Sequence, residues 1–96
     1  MILKVTLTHT ATETYESIFN QIVSKFGLAA AKKFERKALQ TLKTLSKTPY
    51  IFKSIEGNSD VRKGYINKNC SFFYQVSVFE VSILFFWDNR QEPLFH

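Results

Sequence analysis

A chain of 96 residues with 45% hydrophobic and 16% aromatic side chains, ten Phe among them, can build one small core and falls outside the disordered class. Its 13 Lys and Arg against 8 Asp and Glu leave a net charge of +5, which favours acidic partners: nucleic acid, an anionic membrane surface or an acidic protein segment. A single cysteine, Cys70, excludes an internal disulfide and a cysteine zinc site, and the two histidines, His9 and His96, stand near opposite ends of the chain.

Residues 2–8 alternate, with Leu3, Val5 and Leu7 on one side, and predict a short strand with one buried face. They lack the continuous apolar core of a signal peptide. Thr10 and Glu13 then stand in the spacing of a capping box, where each side chain satisfies backbone donors at a helix start. Tyr15, Ile18, Phe19, Ile22, Val23 and Phe26 fall on one stripe at helical spacing, which predicts a helix over about 12–26. Gly27 follows where a residue tolerant of positive φ is needed.

A second helix is expected over about 28–46. Leu28, Ala31, Phe34, Ala38, Leu42 and Leu45 share one side, and Lys32, Lys33, Arg36, Lys37, Lys43 and Lys47 gather on the other at ~100° per residue. Pro49 ends it by disfavouring helix in the residue before. With Gly27 alone between them, the two helices should form an antiparallel hairpin.

Residues 50–60 read as a loop. Three strands follow: 61–66, then a turn at Asn67-Lys68-Asn69; next Phe72, Tyr74, Val76 and Val78 alternating with Phe73, Gln75 and Ser77; last Val81, Ile83, Phe85 and Trp87 alternating with Ser82, Leu84 and Phe86. The turn near Phe79-Glu80 lacks glycine and is placed by alternation. The most apolar run, 76–87, is interrupted by Ser77, Glu80 and Ser82 and is too short to span a bilayer. The expectation is a soluble, cytoplasmic single domain over 1–96. Its fold class would be α+β, a helical hairpin packed on a four-stranded, antiparallel-rich sheet in the order β-α-α-β-β-β.

The strand sequences carry a resemblance. Phe72-Phe73-Tyr74-Gln75-Val76, followed by Val81-Ser82-Ile83-Leu84-Phe85-Phe86-Trp87-Asp88-Asn89-Arg90-Gln91-Glu92-Pro93, is similar to the last two strands of RelE/ParE toxins. There a "(F/Y)-Y-x-V" strand precedes "I-x-I-L" and a closing "R-x-x-P" or "R-R" segment. Val61-Arg62-Lys63 resembles the arginine-bearing strand before them, and Leu45 to Pro49 matches "L-x-x-x-P". The resemblance spans essentially the whole chain. It implies the toxin of a type II toxin–antitoxin system, covered by a cognate antitoxin. It also implies one of two activities: cleavage of mRNA in the ribosomal A site, or poisoning of DNA gyrase. No cofactor is implied.

Cutting RNA without a metal requires a proton acceptor for the 2′-hydroxyl, a proton donor for the 5′-oxygen and cations on the phosphorane. By resemblance, Arg62 would clamp phosphate with its paired donors, and Arg90 would stabilise the transition state. The plainer readings are an ion pair with Asp60 or the antitoxin for Arg62, and with Asp88 or Glu92 for Arg90. His96, able to exchange protons near neutral pH, would be the general acid, and Glu56 a base or simply a solubilising loop residue. Lys63 and Lys68 would attract phosphate. Phe73 and Trp87 could stack on bases, though alternating strand aromatics are more often core, and Tyr74 reads as a packed ring with a bonded hydroxyl. Beyond residue 50 the only basic residues are Lys53, Arg62, Lys63, Lys68 and Arg90. Three readings stand, in order of preference: an endoribonuclease that cuts mRNA on the ribosome, a gyrase poison without chemistry of its own, and an inactive member that binds only its antitoxin.

Overall fold

In the computed structural model, which describes residues 2–91, the chain runs β1 (Lys4–Leu7), α1 (His9–Phe26), α2 (Leu28–Lys47), β2 (Ser54–Ile55), β3 (Asn58–Asn67), β4 (Cys70–Val76) and β5 (Glu80–Asp88). The strands form one sheet in the order β1-β5-β4-β3-β2, with the helical hairpin packed against it, so the class is α+β. All neighbours pair antiparallel except β1, which runs parallel to β5. Five strands stand where four were expected. The extra one, β2, is two residues long, too short for alternation to register, and it returns into β3 through Glu56-Gly57 with Gly57 at φ 87°.

The helix α1 starts earlier than about residue 12, and the expected capping box of Thr10 and Glu13 does not form. Thr8 is the cap instead: its Oγ1 accepts from the Ala11 amide at 3.0 Å. Glu13 turns back one helical turn to His9, 2.7 Å away. Ala11 and Ile18 are buried on α1, and Ala31, Phe34, Ala38 and Leu45 on α2. Phe26 and Leu28, expected inside, flank Gly27 (φ 95°) at the hairpin tip and are exposed. Leu7 too is exposed, whereas Leu3 and Val5 pack on the core.

A continuous run of aromatic rings joins the layers. Tyr15 of α1 stacks on Phe34 of α2 at 5.7 Å and meets Phe86 of β5 edge-on at 5.3 Å. Phe86 lies 6.0 Å from Phe72, and Phe72 lies 5.6 Å from Tyr74. Phe72 also covers Gly64, its cross-strand partner on β3, so closely that a Cβ at Gly64 would sit 2.4 Å from the ring.

One irregularity changes which residues face the helices. Phe73 pairs with Phe85 but Tyr74 pairs with Ile83, so Leu84 is an extra residue in β5. Side-chain alternation slips by one there. Val81, Ile83, Phe86 and Asp88 are therefore the buried members of β5, and Phe85 and Trp87, expected to continue the buried row, are half-buried. Beyond Ile83, where β1 has ended, two helix hydroxyls take up strand groups: Thr8 donates to the Leu84 carbonyl at 2.6 Å, and Thr14 accepts from the Phe86 amide at 2.9 Å. The two hairpin turns are held by side chains. The Asn67 carbonyl oxygen accepts from the Asn69 amide at 2.8 Å, and Ser77 Oγ accepts from the amides of Phe79 and Glu80 at 3.3 and 3.1 Å.

Thr8→Val removes the cap and leaves the Leu84 carbonyl without its donor, so urea unfolding should show a loss of about 2 kcal/mol, while Thr8→Ser stays within about 0.5 kcal/mol of the parent. Gly64→Ala must push the Phe72 ring aside and should cost about 1–3 kcal/mol. The same change in a Phe72→Leu background should cost measurably less, and an equal cost in both backgrounds would place the strain elsewhere.

Candidate functional site

Arg62 enters the sheet opposite Tyr74. The loop after α2 is drawn over this point because the buried Tyr74 hydroxyl donates to the Pro49 carbonyl at 2.8 Å and Phe52 packs edge-on to Phe72 at 5.9 Å. That places the Phe52 carbonyl where Arg62 Nη1 donates to it at 2.7 Å, and sets the guanidinium 4.8 Å from the Tyr50 ring. Burial raises the pKa of the Tyr74 phenol, with the Phe52 backbone and the Arg62 charge opposing it, so the hydroxyl stays protonated at neutral pH. Arg62 also lines a polar groove of about 550 Å³ with Tyr50, Asp60, Gln75 and Glu80.

Arg90 lies just past the other end of the strands. Asp88, paired with Cys70 across β4, accepts from Arg90 Nε at 3.0 Å and Nη2 at 2.8 Å, and from the Arg90 amide at 2.9 Å. This two-pronged pair fixes both the side chain and the turn that follows β5. The hydrogen bonds from Arg90 hold the Asp88 carboxyl below its ordinary range, against the opposing effect of burial, and Asp88 in turn raises Arg90. Beside them the buried Cys70 thiol is pushed up to about 12, first by burial and then by the Asp88 charge, so it remains a thiol. Arg90, Asp88 and Cys70 line a cavity of about 380 Å³ whose apolar wall includes Ile18, Ile22 and Phe34, with Lys33 and Lys37 also lining it.

The two arginines are not brought together. Along β4 the position of Arg62 is Tyr74 and that of Asp88 is Cys70, four residues or ~13 Å apart, and Arg90 lies beyond. The remaining candidates are scattered. Lys68 is exposed in the β3–β4 turn, near the Arg90 end, where its carbonyl accepts from Asn89. Glu56 is exposed in the β2–β3 turn. Lys63 approaches the rings of Tyr65 and Phe73 at 5.4 and 5.9 Å, and Phe73, 1% exposed, stacks on Phe85 at 4.7 Å. His96 lies outside the described residues. The sequence did not single out Tyr50 or Phe52, because each acts through a partner distant in the chain, whereas Lys33 and Lys37 stand out in it only as part of the basic face of the second helix. Among the described residues no group of three His, Cys, Asp or Glu could hold a metal, and no helix is long and apolar enough to cross a membrane.

This arrangement of two helices on a five-stranded sheet is a RelE/ParE-like fold. A chain of the chromosomal ParDE toxin–antitoxin system from P. aeruginosa matches with a TM-score of 0.76 and 18% identity, covering 91% of this chain and 96% of that one. The YoeB dimer from Staphylococcus aureus matches at 0.62 and 17% identity over 88% and 94%. The conserved hypothetical protein HP0894 from Helicobacter pylori matches at 0.62 and 14% identity over 93% and 97%. No protein-family model matches the sequence, and no curated protein does.

Because the folded-state pKa of Asp88 is depressed, the stability it contributes is present above the unfolded carboxyl value of 3.8 and is lost as pH falls through the lower folded value. Asp88→Asn should lower unfolding free energy by about 1–3 kcal/mol at neutral pH. The gap to the parent should be full above about pH 5 and close below 3.8. A gap of constant size down to about pH 2 would deny the ion pair its contribution.

Proposed function

We propose that the protein is the toxin of a type II toxin–antitoxin pair and that it acts by binding a protein target, DNA gyrase, rather than by cutting mRNA. The observation that carries the choice is the engagement of its two arginines. The Arg62 guanidinium is oriented by the Phe52 carbonyl and the Tyr50 ring, and that of Arg90 by Asp88, at positions at least four residues apart along β4. Metal-free RNA cleavage needs cations and proton-transfer groups converging on one phosphate. The phenol beside Arg62 is already donating to Pro49 and is held protonated by burial. A poison that works by binding needs surfaces rather than a proton relay, and no cofactor. The fold likeness to the chain of the ParDE toxin–antitoxin system, with a TM-score of 0.76, supports the toxin part of this reading. The antitoxin is the expected regulator, acting in the cytoplasm. An apolar segment with acidic residues suits the cavity lined by Ile18, Ile22 and Phe34 together with Lys33, Lys37 and Arg90.

Expression from a tight promoter, with separate labelling of new DNA and new protein, tests this reading. DNA synthesis should fall first, and the purified chain should inhibit supercoiling by gyrase. A folded Arg62→Gln/Arg90→Gln variant should keep that inhibition. Protein synthesis failing first, with cleaved mRNA that disappears in the double variant, would establish the ribosomal reading instead.

A further inference from the structure

The net charge of the chain resides on one element. α2 carries Lys32, Lys33, Arg36, Lys37, Lys43 and Lys47 against a single carboxylate, Glu35, while the remaining seven cations and seven carboxylates cancel. All six cations are exposed, and among the described residues the ion pairs are His9–Glu13 and Asp88–Arg90, neither of which involves α2. Glu35 is half-buried and acts on the Tyr15 phenol. A face kept charged for solubility alone mixes its signs; this one does not.

At ~100° per residue, Lys32, Lys43, Arg36 and Lys47 fall within a band about 60° wide, and their fifteen-residue span is ~22 Å long. Lys33 and Lys37 diverge toward the cavity that contains Arg90. The opposite side of α2 is used by the core through Ala31, Phe34, Ala38 and Leu45. No continuous apolar face is left to enter a membrane, which surface helices require; exposed Leu39 borders the band and exposed Leu28 lies eleven residues before it, past the N-terminal end of the band. The band also lacks the aromatic anchors on which protein interfaces concentrate their energy. It suits a polyanion of regular charge density, such as duplex DNA with one phosphate charge per ~1.7 Å of axis.

We infer that the Lys32–Arg36–Lys43–Lys47 stripe of α2 is a docking face for duplex DNA, each cation neutralising one backbone phosphate without reading sequence. On the gyrase reading, on which this consequence rests, the stripe seats the toxin on the DNA that the enzyme holds. The stripe itself is tested without gyrase. The purified full chain is titrated into a fluorescent duplex of about 20 base pairs, and anisotropy is followed between about 50 and 200 mM salt. Four phosphate contacts give a slope of log K against log salt of about −3.6, a loss of roughly a hundredfold over that range. Replacing the four residues together by Gln should flatten the slope by about 0.9 per cation, with the thermal unfolding curve retained. An unchanged slope in the quadruple variant overturns the inference. So does binding to polyglutamate, at equal charge, as tight as to the duplex. Supercoiling inhibition by a chain that fails to bind duplex sinks the stripe and leaves the gyrase reading intact; duplex binding without supercoiling inhibition does the reverse.

Discussion

Beyond Ile83, β5 outruns the strand that pairs with it, and the helix beside it must supply what β1 no longer does. The Thr8 hydroxyl accepts from the Ala11 amide and donates to the Leu84 carbonyl, and Thr14 receives the Phe86 amide. The Thr8 hydroxyl therefore starts α1, and the two hydroxyls together hold the helix to the sheet and stabilise the strand where Leu84 is inserted. Much follows from that insertion. It turns Phe86 inward to meet Tyr15 and Phe72, and turns Asp88 inward beside Cys70, where it can grip Arg90. Without the slipped residue, Phe85 and Trp87 would continue the buried row and Asp88 would face the other way.

The arginines show how little residue type says about role in a small fold. An exposed guanidinium on a strand is a ready phosphate clamp. Here the loop after α2 is drawn onto the sheet by the Tyr74 hydroxyl and the Phe52 ring, and its carbonyl meets Arg62. Arg62 thus closes the loop over the core end of β3. Arg90 orders the turn after β5 by the same logic, with a carboxylate two residues away in place of a carbonyl ten residues away. Both side chains retain further donors, but each is oriented by its partner rather than by a shared target.

Periodicity made the hairpin legible: Ile18 and Ala31, Phe34, Ala38 and Leu45 are buried at the expected spacing, Tyr15, Ile22 and Leu42 pack half-buried against them, and Asn67-Lys68-Asn69 turns as expected. The parallel pairing of β1 and the two-residue β2 were illegible, because neither has enough alternation to declare a partner or an edge. The cap moved from Thr10 to Thr8 because a tertiary contact, the Leu84 carbonyl, favours the earlier threonine over the local capping-box pattern. The inserted Leu84 was hidden for a related reason. Every residue of 81–87 but Ser82 is apolar, so either face could have been the inner one. The ion pair of Asp88 with Arg90 was within reach as the plainer of two readings, being local, whereas the tie of Arg62 to Phe52 depends on a loop with no pattern of its own.

Cations are handled differently on the two layers of the fold. On the sheet the cations are drawn into packing: Lys63 lies against Tyr65 and Phe73, Arg62 against Tyr50, and Arg90 against Asp88. On α2 the cations stand outward with no carboxylate opposite. A field of one sign along ~22 Å of rigid helix raises the local concentration of a polyanion and orients it before contact, at no cost in chemistry. The sheet then serves as the scaffold that holds this helix in place through the rings of Phe34 and Tyr15. On the function proposed above, the outward face of the helical hairpin, rather than the strand arginines, is the surface that would meet the target.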